Sequence, residues 1–73
     1  MTKLGEYLAS KSVNKSEVAR KTGISKARLS ELTIKPTARL RATELYLIAL
    51  SIGADPATVL EFVCEDLKKK VKA

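Results

Sequence analysis

The sequence predicts an all-α fold, a compact five-helix domain, and three observations carry that expectation. Helix-forming residues dominate and runs of β-branched residues are absent. Apolar residues recur at spacings of three and four, the repeat of one helical face. Turn signals at Gly23, Pro36, Gly53 and Pro56 cut the chain into short segments. With 73 residues, the chain is long enough for a single hydrophobic core, and residues 1–73 are expected to form one domain.

The first helix is expected from about Thr2 to Ser10, with Thr2 as N-cap and Leu4, Tyr7 and Leu8 as its buried stripe. The second opens near Asn14 or Lys15, turns Val18 and Ala19 inward and stops at Gly23, the residue best suited to a left-handed C-terminal position. Ile24 plugs the turn, Ser25 caps the third helix, and Leu29 and Leu32 point into the core until Pro36 forbids continuation. The fourth spans about Arg41 to Ile52 and presents Leu45, Ile48, Ala49 and Ile52 inward, ending at Gly53. Asp55 before Pro56 is a start signal for the fifth helix, a capping carboxylate followed by proline at the first helical position. That helix is expected over about 56–70, with Val59, Leu60, Val63 and Leu67 as its apolar stripe.

Charge is the informative part of the composition. The net charge is +6, and residues 1–41 hold ten basic and three acidic side chains whereas residues 42–73 hold four basic and five acidic. A basic half beside a near-neutral half suits a polyanion, of which nucleic acid is the commonest. Solubility alone is the competing explanation. Histidine is absent and Cys64 is the sole cysteine, so no disulfide framework and no Cys/His zinc site can form within one chain. No metal or cofactor is expected. The N-terminal stretch has no apolar run of signal-peptide length, and eighteen apolar residues nowhere run together. A cytoplasmic protein with no membrane association is therefore expected.

The segment Lys15 to Leu32 carries the functional signal. Ala19 is small where two steeply crossed helices come closest, Gly23 four residues later lets the backbone turn, and Val18, Ile24, Leu29 and Leu32 tie the pair to the core. This is a helix-turn-helix. Through "NKSEVARKTGISKARLSEL" (Asn14 to Leu32) and again through "LYLIALSIGADPATVL" (Leu45 to Leu60), the chain resembles the Cro and cI-type (lambda-repressor-like, XRE) helix-turn-helix DNA-binding proteins, over roughly residues 2–60. The resemblance implies a lambda-repressor-like five-helix domain, commonly dimeric on a pseudo-palindromic operator, that regulates transcription. It also implies that the third helix lies in the major groove, with the residues after its N-cap nearest the bases.

Carried over position by position, the resemblance makes Lys26, Ala27 and Glu31 the side chains that face bases. Lys15 stands where the family often has a phosphate-touching glutamine. Lys26 suits guanine O6 and N7, Ala27 a thymine methyl and Glu31 cytosine N4, while Arg28 and Ser30 suit phosphates. For Glu31 an ion pair with Arg28 or Lys35 competes with that role. The loop "TIKPTARLRAT" (Thr33 to Thr43) departs from the family, which usually has a glycine near Lys35 and one residue fewer. Its Lys35, Arg39 and Arg41, with Thr37 and Thr43, can grip the DNA backbone beside the groove. Lys68, Lys69, Lys70 and Lys72 end the last helix, where the backbone dipole favours cations.

A second departure concerns partners. Leu47 and Leu50 stand where the family usually carries charge, so the fourth helix is apolar on nearly all sides and something must cover it. Either the fifth helix of the same chain does so, or a second subunit, and a homodimer through Leu47, Leu50, Phe62 and Val63 is the expectation. Cys64 reads as a buried structural thiol. The leading function is a sequence-specific double-stranded DNA-binding regulator, a repressor without a separate effector domain, encoded by a bacterium or phage and nucleoid-associated when bound. The alternative is an antitoxin or other module that binds a protein partner through the apolar surface of helices four and five. No paired carboxylates, phosphate loop or nucleophile motif supports an enzyme.

Overall fold

Short local signals set where each helix begins and ends. In the computed structural model, which describes residues 1–71, the elements run α1 (Lys3–Ser10), α2 (Lys15–Thr22), α3 (Lys26–Ile34), α4 (Ala42–Ser51) and α5 (Pro56–Val63), followed by a 3₁₀ helix (Glu65–Lys70). No strand occurs among the described residues. Three of the five α-helices, α1, α3 and α5, start on the caps expected, and α2 starts on Asn14, which also caps. Thr2 accepts from the Gly5 N–H at 3.1 Å, Asn14 from Ser16 at 2.8 Å, Ser25 from Arg28 at 3.1 Å and Asp55 from Ala57 at 3.1 Å. Gly23 (φ 79°) and Gly53 (φ 70°) take the left-handed turns that close the chain after α2 and α4.

The buried stripes of the helices meet in one core of Leu4, Tyr7, Leu8, Val18, Leu29, Leu32, Leu45, Ile48, Ala49 and Val59. Helix α1 packs on α3 and α5, α2 on α3 and α4, and α4 on α5. Ala19, Ile24, Ile52, Phe62 and Val63 are half-buried against this core.

Three expectations are corrected. Helix α5 does not run to residue 70: Cys64 leaves helical geometry (φ −105°, ψ 12°), and the chain continues as 3₁₀. Leu60 and Leu67, expected on the inner stripe, are each 49% exposed: α5 turns Val59, Phe62 and Val63 inward with Leu60 about 100° from Val59, and Leu67 lies in the 3₁₀ segment past the break at Cys64. Cys64, expected buried, is half-buried. Lys72 lies outside the described residues. The 3₁₀ segment is fastened back to α1 by the Lys3–Glu65 ion pair at 2.6 Å, with the Lys3 ammonium also 5.5 Å from the Phe62 ring centre.

The start of α1 closes the end of α3. The Thr2 N–H donates to the Thr33 carbonyl at 2.9 Å and the Thr2 hydroxyl donates to the Leu32 carbonyl at 2.7 Å, which satisfies carbonyls that a helix C-terminus otherwise leaves open. Gly5 is buried in this junction, and its missing Cβ is what lets α1 approach: an added Cβ would stand 3.2 Å from the Thr33 carbonyl carbon and nearer still to its oxygen.

Candidate nucleic-acid interface

Helix α3 has one face in the core and one in solvent. Leu29, Leu32 and Thr33 are buried, whereas Lys26, Ala27, Glu31, Ile34 and Lys35 are exposed and Ser30 is half-buried. The capped Ser25 turn and the Thr2 junction hold this helix at both ends, so its outer face is presented on a fixed scaffold.

Lys15 and Lys26 each occupy the first position of a helix. A cation there opposes the backbone dipole, which instead favours an anion, so the fold gains nothing from either charge while an approaching phosphate is attracted by both lysine and dipole. Among the described residues Lys15, Lys26, Lys35, Arg39 and Arg41 form no ion pair. Lys35, Arg39 and Arg41 line an open cleft of about 600 Å³ with Thr37 and Ala38, alongside Arg28 and Glu31 from α3. Thr43 is exposed on the first turn of α4.

Arg28 differs from the other cations. Its Nε donates to Glu44 Oε2 at 2.9 Å, and its Nη2 donates to Glu44 Oε1 at 3.1 Å and to the Arg39 carbonyl at 2.7 Å. Its Nη1 reaches Glu31 Oε1 at 3.4 Å, the ion pair weighed as the competing role for Glu31. Such a bidentate pair joins α3 to the start of α4 and to the intervening loop, so this guanidinium holds the scaffold together. Glu44 also accepts the Arg41 N–H at 2.9 Å, one half of a capping box; arginine has no acceptor to supply the other half. Sequence reasoning missed Glu44 as this anchor. Its place three residues after Arg41 is the signature of a cap, but nothing local links it to Arg28.

The Arg28 guanidinium first, and then the Arg41 N–H, hold the Glu44 carboxyl below its usual 4.5. The unfolded chain therefore binds the proton more readily, and the stability from this group is complete above that value and lost as pH falls below it. Thermal melts of the Glu44→Gln variant should accordingly show a shallower loss of Tm between about pH 5 and pH 3 than the parent. Equal slopes would show that the pair adds nothing to acid sensitivity.

Helix α4 exposes Tyr46 (53%), Leu47 (41%) and Leu50 (53%) as one stripe. Helix α5 does not cover it. Phe62 and Val63, expected to share an interface with these leucines, are instead half-buried against their own core, with the Phe62 ring 5.4 Å from that of Tyr7. Tyr46 was not singled out from the sequence, although its place one residue before Leu47 and four before Leu50 sets it on the same side.

No helix among the described residues is long and apolar enough to cross a membrane. No curated protein and no solved structure matched the chain. The model of one family, described as the Cro/C1-type HTH DNA-binding domain, matches residues 3–65, from α1 into the 3₁₀ helix. A short turn at Gly23 holding one helix against a second with a free outer face is the arrangement this match covers, and the chain belongs to the Cro/C1-type helix-turn-helix DNA-binding domain family.

Proposed function

We propose that this protein is a sequence-specific regulator of transcription, a repressor that reads the major groove with α3 as a homodimer. The observation that carries the reading is the exposed outer face of α3 between cations that form no ion pair among the described residues, Lys26 at its start and Lys35 at its end, with Lys15 beside it. Lys26, Ala27 and Glu31 face the bases. Lys15, Ser30, Lys35, Arg39, Arg41 and Thr43 hold phosphates. Arg28, suited by its chemistry to phosphate, positions α3 through Glu44 instead.

Quantitative binding to duplexes selected from a random pool tests the assignment. Lys26→Ala should cost about 1–3 kcal/mol on the selected site and relax preference at one base pair, whereas Lys15→Ala and Arg41→Ala should weaken all duplexes alike. Equal losses on random DNA for all three variants would refute it. Two half-sites about 10 bp apart are expected, one turn of the duplex, so that both recognition helices meet the same side.

Homodimerisation through Leu47 and Leu50, with Tyr46 between the same turns, is the second element of the proposal. These exposed apolar residues also support the alternative, a protein partner of another kind such as the toxin of an antitoxin pair.

A further inference from the structure

Resting on the DNA-binding reading above, we infer that Ile34 is a specificity-determining residue of α3 and that, with Ala27, it selects two thymines about three base pairs apart through their methyl groups.

Ile34 is the last residue of α3 and is 58% exposed, although its neighbours Leu32 and Thr33 are buried. It stands seven residues from Ala27, two helical turns, which returns it to within about 20° of the same direction and about 10 Å further along the axis. At a rise of about 3.4 Å per base, that length spans about three steps of a duplex. Ala27, Ser30, Glu31, Ile34 and Lys35 line one shallow groove on the outer face, so the two apolar side chains share a single concave strip.

The charges around the strip identify what fits it. Lys26 precedes Ala27, Lys35 follows Ile34, and among the described residues Lys15 is the one charged side chain of a second depression that Ile34 shares with Met1, Leu8, Ala9 and Val13. A protein surface apolar enough to cover Ile34 would bury these cations without partners, at a high desolvation cost. A DNA major groove offers phosphates to the lysines and, on its floor, one apolar substituent, the C5 methyl of thymine. The sequence reading assigned a methyl contact to Ala27 alone; the exposure of Ile34 on the same face supplies the second.

Deoxyuridine scanning of the selected duplex, with the full chain and fluorescence anisotropy as readout, tests the inference, because uracil removes the methyl and leaves every hydrogen-bonding group in place. Two thymines per half-site, about three base pairs apart, should each lose about fourfold in affinity when replaced, the worth of one buried methyl group. Ile34→Ala, folded by its circular dichroism spectrum, should bind thymine and uracil equally at one of the two positions while keeping discrimination at the other. Tight binding with no thymine at those positions, or unchanged discrimination in Ile34→Ala, overturns the role of Ile34 and leaves DNA binding intact. Binding to no duplex at all overturns both.

Discussion

Gly5→Ala should destabilise the protein by about 2–3 kcal/mol and lower its Tm by roughly 10–20 °C. Helix propensity alone predicts the opposite sign, since alanine inside a helix is favoured over glycine by about 1 kcal/mol. Packing outweighs it here. The new methyl group would meet the Thr33 carbonyl, a backbone atom that the Thr2 N–H holds at 2.9 Å and that cannot rotate aside as a side chain does. Relief requires α1 to move off the end of α3, which breaks the Thr2 contacts with Leu32 and Thr33 and exposes the stripe of Leu4 and Leu8. Urea and thermal melts followed by circular dichroism measure this. A Tm at or above that of the parent would mean that the junction yields easily, and α3 would then lack the fixed C-terminal end on which Ile34 and Lys35 depend.

The second large effect concerns assembly. Sedimentation equilibrium at tens of micromolar should find twice the 8.0 kDa chain mass, and the double variant Leu47→Glu/Leu50→Glu should sediment as the single chain. Both leucines are already about half covered within the chain, and burying the remainder in the two subunits contributes about 3–6 kcal/mol, so losing it weakens association by at least about a hundredfold. Glutamate is a good helix former and both positions are exposed, so the fold of the single chain should survive and its Tm should change little. An unsubstituted chain that sediments only at 8.0 kDa removes the homodimer from the proposal and leaves this stripe to a different protein partner. On DNA, the monomeric variant should bind half-sites independently and lose the twofold footprint.

Much of the fold was legible because its signals are local. Thr2, Asn14, Ser25 and Asp55 cap helices by reaching backbone groups two or three residues ahead, and Gly23 and Gly53 end the segments before them by adopting a left-handed turn at their own positions. The buried residues Leu4, Leu8, Val18, Leu29, Leu32, Leu45, Ile48 and Val59 follow from the helical repeat. Where the repeat failed, at Leu60 and Leu67, an apolar residue was counted into a stripe that its angle around the helix excludes, or lay beyond a break at Cys64 that no proline or glycine announces.

The candidate interface divides in the same way. The positions of Lys15 and Lys26 at helix starts and the outward side of α3 follow from the caps and the apolar spacing, as does the family to which the chain belongs. The assignment of Arg28 to Glu44, sixteen residues away, depended on how the loop after Pro36 returns α4 to α3. So did the exposure of the Tyr46, Leu47 and Leu50 stripe, which the sequence marks as apolar but cannot assign to a covering element. A cap or a helical stripe is decided within one or two turns of chain, by rotation about neighbouring bonds. Which charge meets which, and which apolar face stays open, is decided by the docking of segments far apart in sequence, and only the packed tertiary structure fixes those distances.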